Sequence, residues 1–146
     1  LAMLIGQILS AKGSAVVTTH ADATVADVVK LLKEKHIGAV VVADRSGGLC
    51  GIVSERDVTR GLAEHGTQLL DMKVGNIMTQ EVVTCSPDDG IEKLMTEMTE
   101  GRFRHLPVVS GKELIGIISI GDVVKHRLHE LEEETHQLHD YIAGSA

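Results

Sequence analysis

The sequence predicts an α/β (α+β) fold made of two β-α-β-β-α repeats followed by a long C-terminal helix. The main observation is a duplication: residues 51–58 (GIVSERDV) return 65 residues later as residues 116–123 (GIISIGDV), with five of eight positions identical. The same order of strand-like and helix-like patterns precedes both copies. A regular duplication of this kind indicates two similar units that pack as a pair.

The composition describes the core and disfavours one class of partner. Of the 146 residues, 43% are hydrophobic but only 1% are aromatic, so Val, Ile, Leu, Ala and Met must form the core. Half of such a chain would bury little surface by itself, so we expect the repeats to share one core. The scarcity of aromatic rings and the formal net charge of −7 argue against nucleic acid, because single strands need stacking surfaces and duplexes need basic ones.

The cysteines and the hydropathy pattern bear on location. Cys50 and Cys85 have no metal-ligand spacing, so we interpret them as free thiols in a reducing compartment. No stretch approaches the ~20 apolar residues of a membrane span, and the apolar residues 1–5 are too few for a signal peptide. We therefore expect a cytoplasmic protein with no membrane partner.

In the first repeat, residues 15–18 predict a short strand. Thr24 is placed to cap a helix with helical apolar spacing, with Asp27 at its third position. Gly38 suits the left-handed residue that ends such a helix. A buried strand, a hairpin turn, a second strand and a second helix are then predicted at residues 39–43, 44–48, 49–53 and 55–65.

The second repeat copies this order. Its first strand, its first helix and its two hairpin strands are predicted at residues 82–84, 91–99, 106–109 and 114–118. A short helix is expected at residues 69–74 of the linker. We therefore place the first repeat at residues 8–66, the linker at 67–80, the second repeat at 81–127 and the C-terminal extension at 128–143.

The tail predicts one long helix over residues 122–142. Its apolar stripe has alternating spacings of three and four and consists of Leu128, Leu131, Thr135, Leu138 and Ile142. Two interpretations remain open: the helix lies on its own domain, or it forms a contact between subunits.

The duplicated strand-to-helix junction is the first candidate site. Ser54 is placed as a helix N-cap and Asp57 as the third helical residue, so the two could close a capping box with no ligand. A helix start also suits a phosphate, and a carboxylate there could accept both hydroxyls of a ribose. The return of Gly and Asp at the same offsets favours the ligand interpretation, because capping alone does not require both.

The second candidate site is the basic segment of residues 101–108. It places Arg102, Arg104 and His105 directly before a predicted buried strand in an otherwise acidic chain. Arg104, held near the protein body, would seek an anion, and the planar guanidinium suits phosphate. The matching positions of the first repeat are Gly38 and Ala39, so the two sites cannot be equivalent in charge.

No catalytic constellation is recognisable, so we predict that the chain is not an enzyme and needs no catalytic cofactor. The pairs His126/His129 and His136/His139 could each share a helix face. Interleaved Glu and Arg favour a solvated surface over metal binding there.

Together these motifs resemble a tandem pair of cystathionine-beta-synthase (CBS) domains, the Bateman module, over residues 8–124. The resemblance rests on the doubled Gly-h-h-Ser-x-x-Asp, the leading Val-Thr strands and the Arg-His-Leu-Pro-Val strand. It is greatest to small stand-alone bacterial CBS-pair proteins. The resemblance implies pseudo-twofold symmetry between the repeats, clefts that bind adenosine nucleotides, and a disc-shaped homodimer.

The resemblance also implies roles for individual residues. Ribose hydroxyls would be held by Asp57 and Asp122, and phosphate or ribose would face Ser54 and Ser119. The adenine slot would be lined by Thr18, Thr84, Ala39, Val40, Leu106 and Pro107, and phosphate would meet Arg104, His105 and Arg56. The remaining implied ligand contacts are Gly38, Glu55, Phe103, Ile120 and Gly121. Gly38 and Ala39 depart from the Arg-His pattern, which argues against phosphate binding in the first cleft.

Two functions are retained as hypotheses. The first is a regulatory module that senses AMP, ADP, ATP or NAD(H) and signals to an unidentified effector protein through the packing of repeats or subunits. The second is a ligand-independent module for dimerisation or protein interaction.

Overall fold

The computed structural model describes residues 4–13, 15–101 and 103–144. The helices are α1 Ile5–Lys12, α2 Val25–Lys35, α3 Glu55–His65, α4 Ile91–Gly101 and α5 Ile120–Gly144. The strands are β1 Thr18–Thr19, β2 Ala39–Ala43, β3 Leu49–Ser54, β4 His105–Ser110 and β5 Glu113–Ser119. Two 3-10 helices, Gly66–Asp71 and Val74–Asn76, replace the single short helix predicted in the linker. The first repeat comprises β1 to α3, and the second comprises α4 to the start of α5.

The two sheets are similar but unequal. In the first repeat β2 pairs with β1 in parallel and with β3 antiparallel, giving the order β1-β2-β3. In the second repeat β4 and β5 form an antiparallel hairpin. The prediction of a strand at residues 82–84 is wrong, because the backbone N–H of Val82 bonds locally to the Gln80 carbonyl. The next residue, Cys85, forms a single parallel bridge with Val108.

The first helix of the first repeat begins as predicted and ends differently. The Thr24 hydroxyl accepts the backbone N–H of Asp27 at 3.2 Å, which caps α2. Its left-handed terminal residue is His36, with φ 54° and ψ 47°, and not Gly38. The lack of a side chain at Gly38 therefore has another cause, which lies in the cleft between the repeats.

Helix α1 was not predicted from the sequence, because eight residues show too little periodicity. Its residues Ile5 and Ile8 are fully buried, and they pack in the core of the second repeat although they precede the first. The boundary predicted at residue 8 thus falls inside this helix.

The apolar residues form two clusters, not the single shared core that was expected. The cluster of the second repeat includes Ile5, Ile8 and Leu9 from α1, together with Ile91, Leu94, Met98, Leu106, Val108, Ile118 and Val123. The cluster of the first repeat contains Val28, Val40, Val42, Val53 and Val74, with Ile77 and Met78 from the linker packed against it. Each core is therefore completed by the segment that precedes the other repeat, a reciprocal exchange typical of twofold-related units.

This exchange explains the repeated glycine of the duplicated motif. The backbone N–H and carbonyl of Ile52 bond to the carbonyl and N–H of Thr79 at 3.0 and 2.9 Å. A Cβ at Gly51 would lie 2.7 Å from the Thr79 carbonyl oxygen, and a Cβ at Gly116 would lie 2.5 Å from Leu9 Cδ2. Both glycines are needed because a foreign segment crosses their strand at close range.

Helix α5 is continuous from the second repeat to its end at Gly144. Val123 is buried, but the apolar side chains beyond it are exposed, with 50% exposure at Val124, 55% at Leu128 and 61% at Leu138. The interpretation that the stripe lies on its own domain is therefore wrong. Leu128 borders a cavity that Ala11 and Lys12 also line, and the stripe beyond it is exposed.

We expect Gly51→Ala to lower the free energy of unfolding by about 1–3 kcal/mol, because the new Cβ would clash with an immobile backbone carbonyl. Gly116→Ala should cost less, since its Cβ would meet the flexible end of Leu9. Urea denaturation measures both values. Gly90→Ala is the control, because a Cβ there meets no atom within 4 Å. Equal losses for Gly51→Ala and Gly90→Ala would contradict the explanation.

Candidate ligand-binding cleft between the repeats

A cavity of about 690 Å³ lies between the two repeats. It brings together eleven residues of the predicted site: Gly38, Ser54, Glu55, Arg56, Asp57, Phe103, Arg104, His105, Ser119, Ile120 and Gly121. Four lining residues were missed: Ile52, Arg60, Thr79 and Gly101. Arg60 follows Arg56 by one helical turn, so helical spacing could have found it. Arg102 lies outside the described residues.

Seven residues of the predicted site do not line this cavity: Thr18, Ala39, Val40, Thr84, Leu106, Pro107 and Asp122. The side chains of Ala39, Val40 and Leu106 are buried in the sheets. Any contact to a base there would have to come from their backbone, so the adenine role of these positions stays a prediction.

The junction of β3 and α3 forms one wall of the cleft. Asp57 Oδ2 accepts the backbone N–H of Ser54 at 2.9 Å, and the Ser54 hydroxyl accepts the backbone N–H of Asp57 at 3.4 Å. This is a capping box, so the capping interpretation of the motif is realised. The Thr79 hydroxyl reaches the other oxygen, Oδ1, at 3.5 Å, where a ligand hydroxyl could compete with it.

The junction of β5 and α5 repeats this geometry and adds a cation. Asp122 Oδ2 accepts the backbone N–H of Ser119 at 2.9 Å, and Ser119 Oγ accepts the N–H of Asp122 at 3.1 Å. Lys12 Nζ donates to the same Oδ2 at 2.6 Å. Burial acts to raise the pKa of Asp122, but the bonds from Lys12 and Ser119 outweigh it and hold the pKa below its ordinary value.

The cleft combines positive charge with two helix starts. Arg56, Arg60 and Arg104 line it against two carboxylates, Glu55 and Asp57. The first residues of α3 and α5 also line it, so the partial positive charge of both helix N-termini is directed toward the same space. Such a space suits an anion.

Hydrogen bonds identify Gly38 as the counterpart of Arg104. The N–H of Glu55 bonds to the Gly38 carbonyl at 3.0 Å, and the N–H of Ile120 bonds to the Arg104 carbonyl at 2.8 Å. A Cβ at Gly38 would lie 3.0 Å from the imidazole of His105. Gly38 therefore lacks a side chain because the histidine of the other repeat packs on it.

His105 is held mostly in its neutral form. Burial lowers its pKa most, and the cations of Lys12 and Arg104 lower it further, while Glu55 and Asp122 oppose the change. The charge of His105 thus depends on groups from both repeats and from α1.

The described ranges offer little support for a metal site, a reactive cysteine or a membrane span. No group of three or more His, Cys, Asp or Glu side chains could hold a metal ion. His129 and His136 instead approach Glu133 and Asp140 on the surface of α5. Both cysteines are free, and burial raises the pKa of Cys85 to about 12. None of the helices described is both long and apolar enough to cross a membrane.

The family model described as CBS domain matches residues 9–64 and 74–129, one match for each repeat. The chain belongs to the CBS domain family. The resemblance inferred from the sequence is thereby confirmed.

A relative and two solved structures illustrate the family likeness. The CBS domain-containing protein CBSX3, mitochondrial, of Arabidopsis thaliana is 41% identical over 127 residues, which are 84% of this chain and 62% of that protein. This chain therefore spans less than two thirds of that relative. A CBS-domain containing protein from Agrobacterium tumefaciens has a crystal structure with a TM-score of 0.84 at 42% identity, covering 87% of this chain and 95% of that one.

The third comparison is with a CBS domain pair crystallised with 5′-methylthioadenosine and S-adenosyl-L-methionine. Its TM-score is 0.80 at 22% identity, covering 89% of this chain and 99% of that one. At this identity the likeness shows the CBS fold.

We expect stability to fall as the pH drops below about 6.5, because unfolded His105 takes up a proton before the folded residue does. The stabilising contribution is complete above the unfolded pKa and is lost toward the lowered folded pKa. His105→Gln should make the decline between pH 7 and pH 5 shallower in urea denaturation at a series of pH values. An unchanged slope for His105→Gln would contradict the assignment.

Proposed function

We propose that this CBS pair is a non-catalytic regulatory module that binds an adenosine nucleotide in the cleft between its repeats. The observation that carries the proposal is the convergence of three arginines, two helix starts and the Asp57 carboxylate on one cavity. Its volume of about 690 Å³ lies within the roughly 300–1,000 Å³ of small-molecule sites.

The phosphate end of the nucleotide is assigned to Arg104 and the start of α5. The carbonyl of Arg104 is bonded to the Ile120 N–H at 2.8 Å, which fixes its backbone beside that helix start. A guanidinium binds phosphate oxygens in a bidentate fashion, and the partial positive charge of the helix start adds to the attraction. Arg56 and Arg60 of the first repeat supply the further charge that ADP or ATP would need.

The sugar end is assigned to Asp57. One of its oxygens is used by the capping box, and among the described residues the other meets only the long contact from Thr79. A ribose diol could replace that contact without opening the capping box. The acid can therefore stabilise α3 and bind a sugar at the same time.

The comparisons support this chemistry at the level of the family. A CBS pair of the same fold was crystallised with two adenosine compounds. AMP, ADP, ATP and NAD(H) share the adenosine group with those compounds, and AMP is the simplest probe among them. The cytoplasm remains the compartment that we predict for this protein.

The regulatory output would follow from the position of the cleft. Its walls come from both repeats, with Gly38 and Asp57 on one side and Phe103 and Arg104 on the other. A bound nucleotide would therefore bias their relative packing, with a coupling of about 1–3 kcal/mol typical of such sensors. An effector protein would read that change.

We expect AMP to raise the melting temperature. At a hundredfold excess of AMP over its Kd, the free energy of unfolding would rise by about 2.7 kcal/mol. Each kcal/mol raises the melting temperature of a chain of this size by about 2–4 °C. Differential scanning calorimetry measures the rise for each variant against its own baseline. Arg104→Ala should weaken binding roughly ten- to hundredfold, since one charge-assisted hydrogen bond contributes about 1.5–3 kcal/mol.

Arg45→Ala is the matched control, because Arg45 lies in the exposed β2–β3 turn and not in the cleft. Asp57→Asn should also reduce the rise, whereas Asp27→Asn, at the third position of α2, should not. The proposal is contradicted if AMP, ADP, ATP and NAD(H) all leave the melting temperature unchanged. That result would favour an interaction module.

A second function, homodimerisation, is favoured by the exposed stripe of α5. Val124, Leu128, Leu131 and Leu138 share one helix face and are 42–61% exposed. Their three-and-four spacing is that of a coiled-coil seam, which is complementary to a second copy of itself. We propose that two chains pair through this face, whether or not a nucleotide is bound.

We expect Leu138→Lys to shift the protein from dimer toward monomer, because a charge in the seam would lose its water on pairing. Sedimentation velocity at several concentrations measures the shift. Gln137→Lys adds the same charge on the opposite face and should leave the dimer intact. A monomeric wild type would contradict pairing, as would a Leu138→Lys variant that dimerises normally.

A further inference from the structure

We propose that two copies of α5 pair in parallel and in register, so that both clefts lie at the same end of the dimer. This inference rests on the homodimerisation proposed above and deepens it, because it fixes the orientation of the partner chain. The charged side chains on either side of the exposed apolar stripe favour this orientation over the reverse one.

The apolar stripe defines the heptad positions of α5. Its spacings of four and three are those of alternating d and a positions, beginning with Val124 at d. The stripe consists of Val124, Leu128, Leu131, Thr135, Leu138 and Ile142. The neighbouring e and g positions therefore hold Lys125, Arg127, Glu132, Glu134, His139 and Tyr141. In a coiled coil, side chains at these flanking positions set the orientation of the partner.

A groove of about 470 Å³ beside the stripe shows which side chains a second helix would meet. It is lined by Leu128, Leu131, Glu132, Thr135, His136 and His139. Two of these, Glu132 and His139, are exposed residues at e positions. They therefore border the apolar surface that a partner would cover.

Parallel pairing sets opposite groups against each other. In this orientation a g residue of one helix faces the e residue five positions further along the partner, so Arg127 meets the partner's Glu132 and Glu134 meets the partner's His139. Arg127 also bonds to Glu130 of its own helix at 2.8 Å, but a guanidinium has five N–H donors and can serve a second carboxylate. A histidine offers an N–H donor to a carboxylate in either protonation state. Both contacts are therefore attractive.

The reverse orientation sets like charges against each other. Antiparallel helices that overlap along the whole stripe place Leu128 against the partner's Leu138. In that arrangement e faces e and g faces g, so Glu132 meets the partner's Glu132 and Glu134 meets the partner's Glu134. A shift by one heptad in either direction removes these repulsive contacts but leaves two of the six stripe residues of each chain outside the contact. Full apolar contact and attractive charges therefore coincide in the parallel dimer.

Thr135 is the polar member of the stripe and is compatible with this register. Its hydroxyl donates to the Leu131 carbonyl of its own helix at 2.9 Å, so the donor stays satisfied when a partner covers the seam. Parallel pairing in register places Thr135 against its own copy at an a position. A polar residue at a single a position can specify the register of a coiled coil at some cost in stability.

Parallel pairing also determines where the clefts lie in the dimer. Ile120 and Gly121 line the cleft at the start of α5. Two parallel helices therefore bring both clefts to one end, whereas an antiparallel pair would separate them by the length of the helix. The far ends of both helices, at Gly144, would also lie together, so one effector protein could contact both.

Disulfide trapping in the full chain tests the orientation. Each variant also carries Cys50→Ser, because Cys50 is half-buried whereas Cys85 is buried. In a parallel dimer Leu138→Cys lies against its own copy, so mild oxidation should link the two chains. Asp140→Cys is the matched control, since its f position faces away from the seam, and it should crosslink far more slowly. When tagged Leu128→Cys chains exchange with untagged Leu138→Cys chains before oxidation, the parallel dimer should yield no mixed disulfide.

Removal of charge provides a second test, in which the two orientations predict opposite signs. Glu132→Gln with Glu134→Gln removes attractive pairs from a parallel dimer and should raise its dissociation constant roughly three- to thirtyfold. The same change would relieve repulsion in an antiparallel dimer and lower the constant. Glu133→Gln with Asp140→Asn is the matched control, because it removes the same net charge on the opposite face and should change the constant by less than about twofold. Sedimentation equilibrium measures all three proteins.

The outcomes separate the orientation from the pairing itself. A dimer that gives the mixed disulfide between positions 128 and 138 would overturn the parallel orientation and leave the proposed dimerisation intact. So would a dimer that tightens when Glu132 and Glu134 are neutralised. A dimer that forms neither disulfide would overturn both the orientation and the pairing through α5, and so would a monomeric wild type.

Discussion

Reciprocal packing of each preceding segment on the other repeat is the interaction on which the rest of the structure depends. Helix α1 supplies Ile5 and Ile8 to the core of the second repeat, and Met78 supplies a side chain to the first. Neither repeat can bury its apolar face without this exchange, because each sheet has only two or three strands. The exchange also holds the two strand-to-helix junctions against one cleft, where Ser54 and Ser119 face the same space.

The glycine, serine and aspartate of the duplicated Gly-h-h-Ser-x-x-Asp motif (h, hydrophobic) each have a structural role in both repeats. The glycine admits the crossing segment, and the serine and aspartate close a capping box. From the sequence, the return of Gly and Asp favours a ligand over capping, but packing and capping account for both residues without a ligand. What separates the two copies is the chemistry around them: Thr79 beside Asp57, and Lys12 beside Asp122.

The sequence predicted the elements whose signals are local. The helical apolar spacing, the Thr24 cap and the β2–β3 turn each depend on a few neighbouring residues, and the elements that they predict were placed within one or two positions. The first strand was predicted at residues 15–18 and lies at Thr18–Thr19. Most of the cleft residues were also found, because both motifs meet there. Helix α1, the crossing of Gly51 by Thr79 and the packing of His105 on Gly38 were missed. Helix α1 is too short to show a clear period, and the other two depend on contacts between residues far apart in the chain, which no local pattern records.

The unbroken backbone of α5 has a mechanical consequence. Ile120 and Gly121 line the cleft, and the same helix continues to Gly144 without interruption. At about 1.5 Å per residue, its 25 residues form a rod about 37 Å long, so each degree of tilt at the cleft end moves the far end by about 0.6 Å. A movement too small to disturb the cores would thus be magnified at the tip, where no crossing segment restrains it within the described residues. The position of the far end of α5 would therefore report the state of the cleft to any protein that contacts that end.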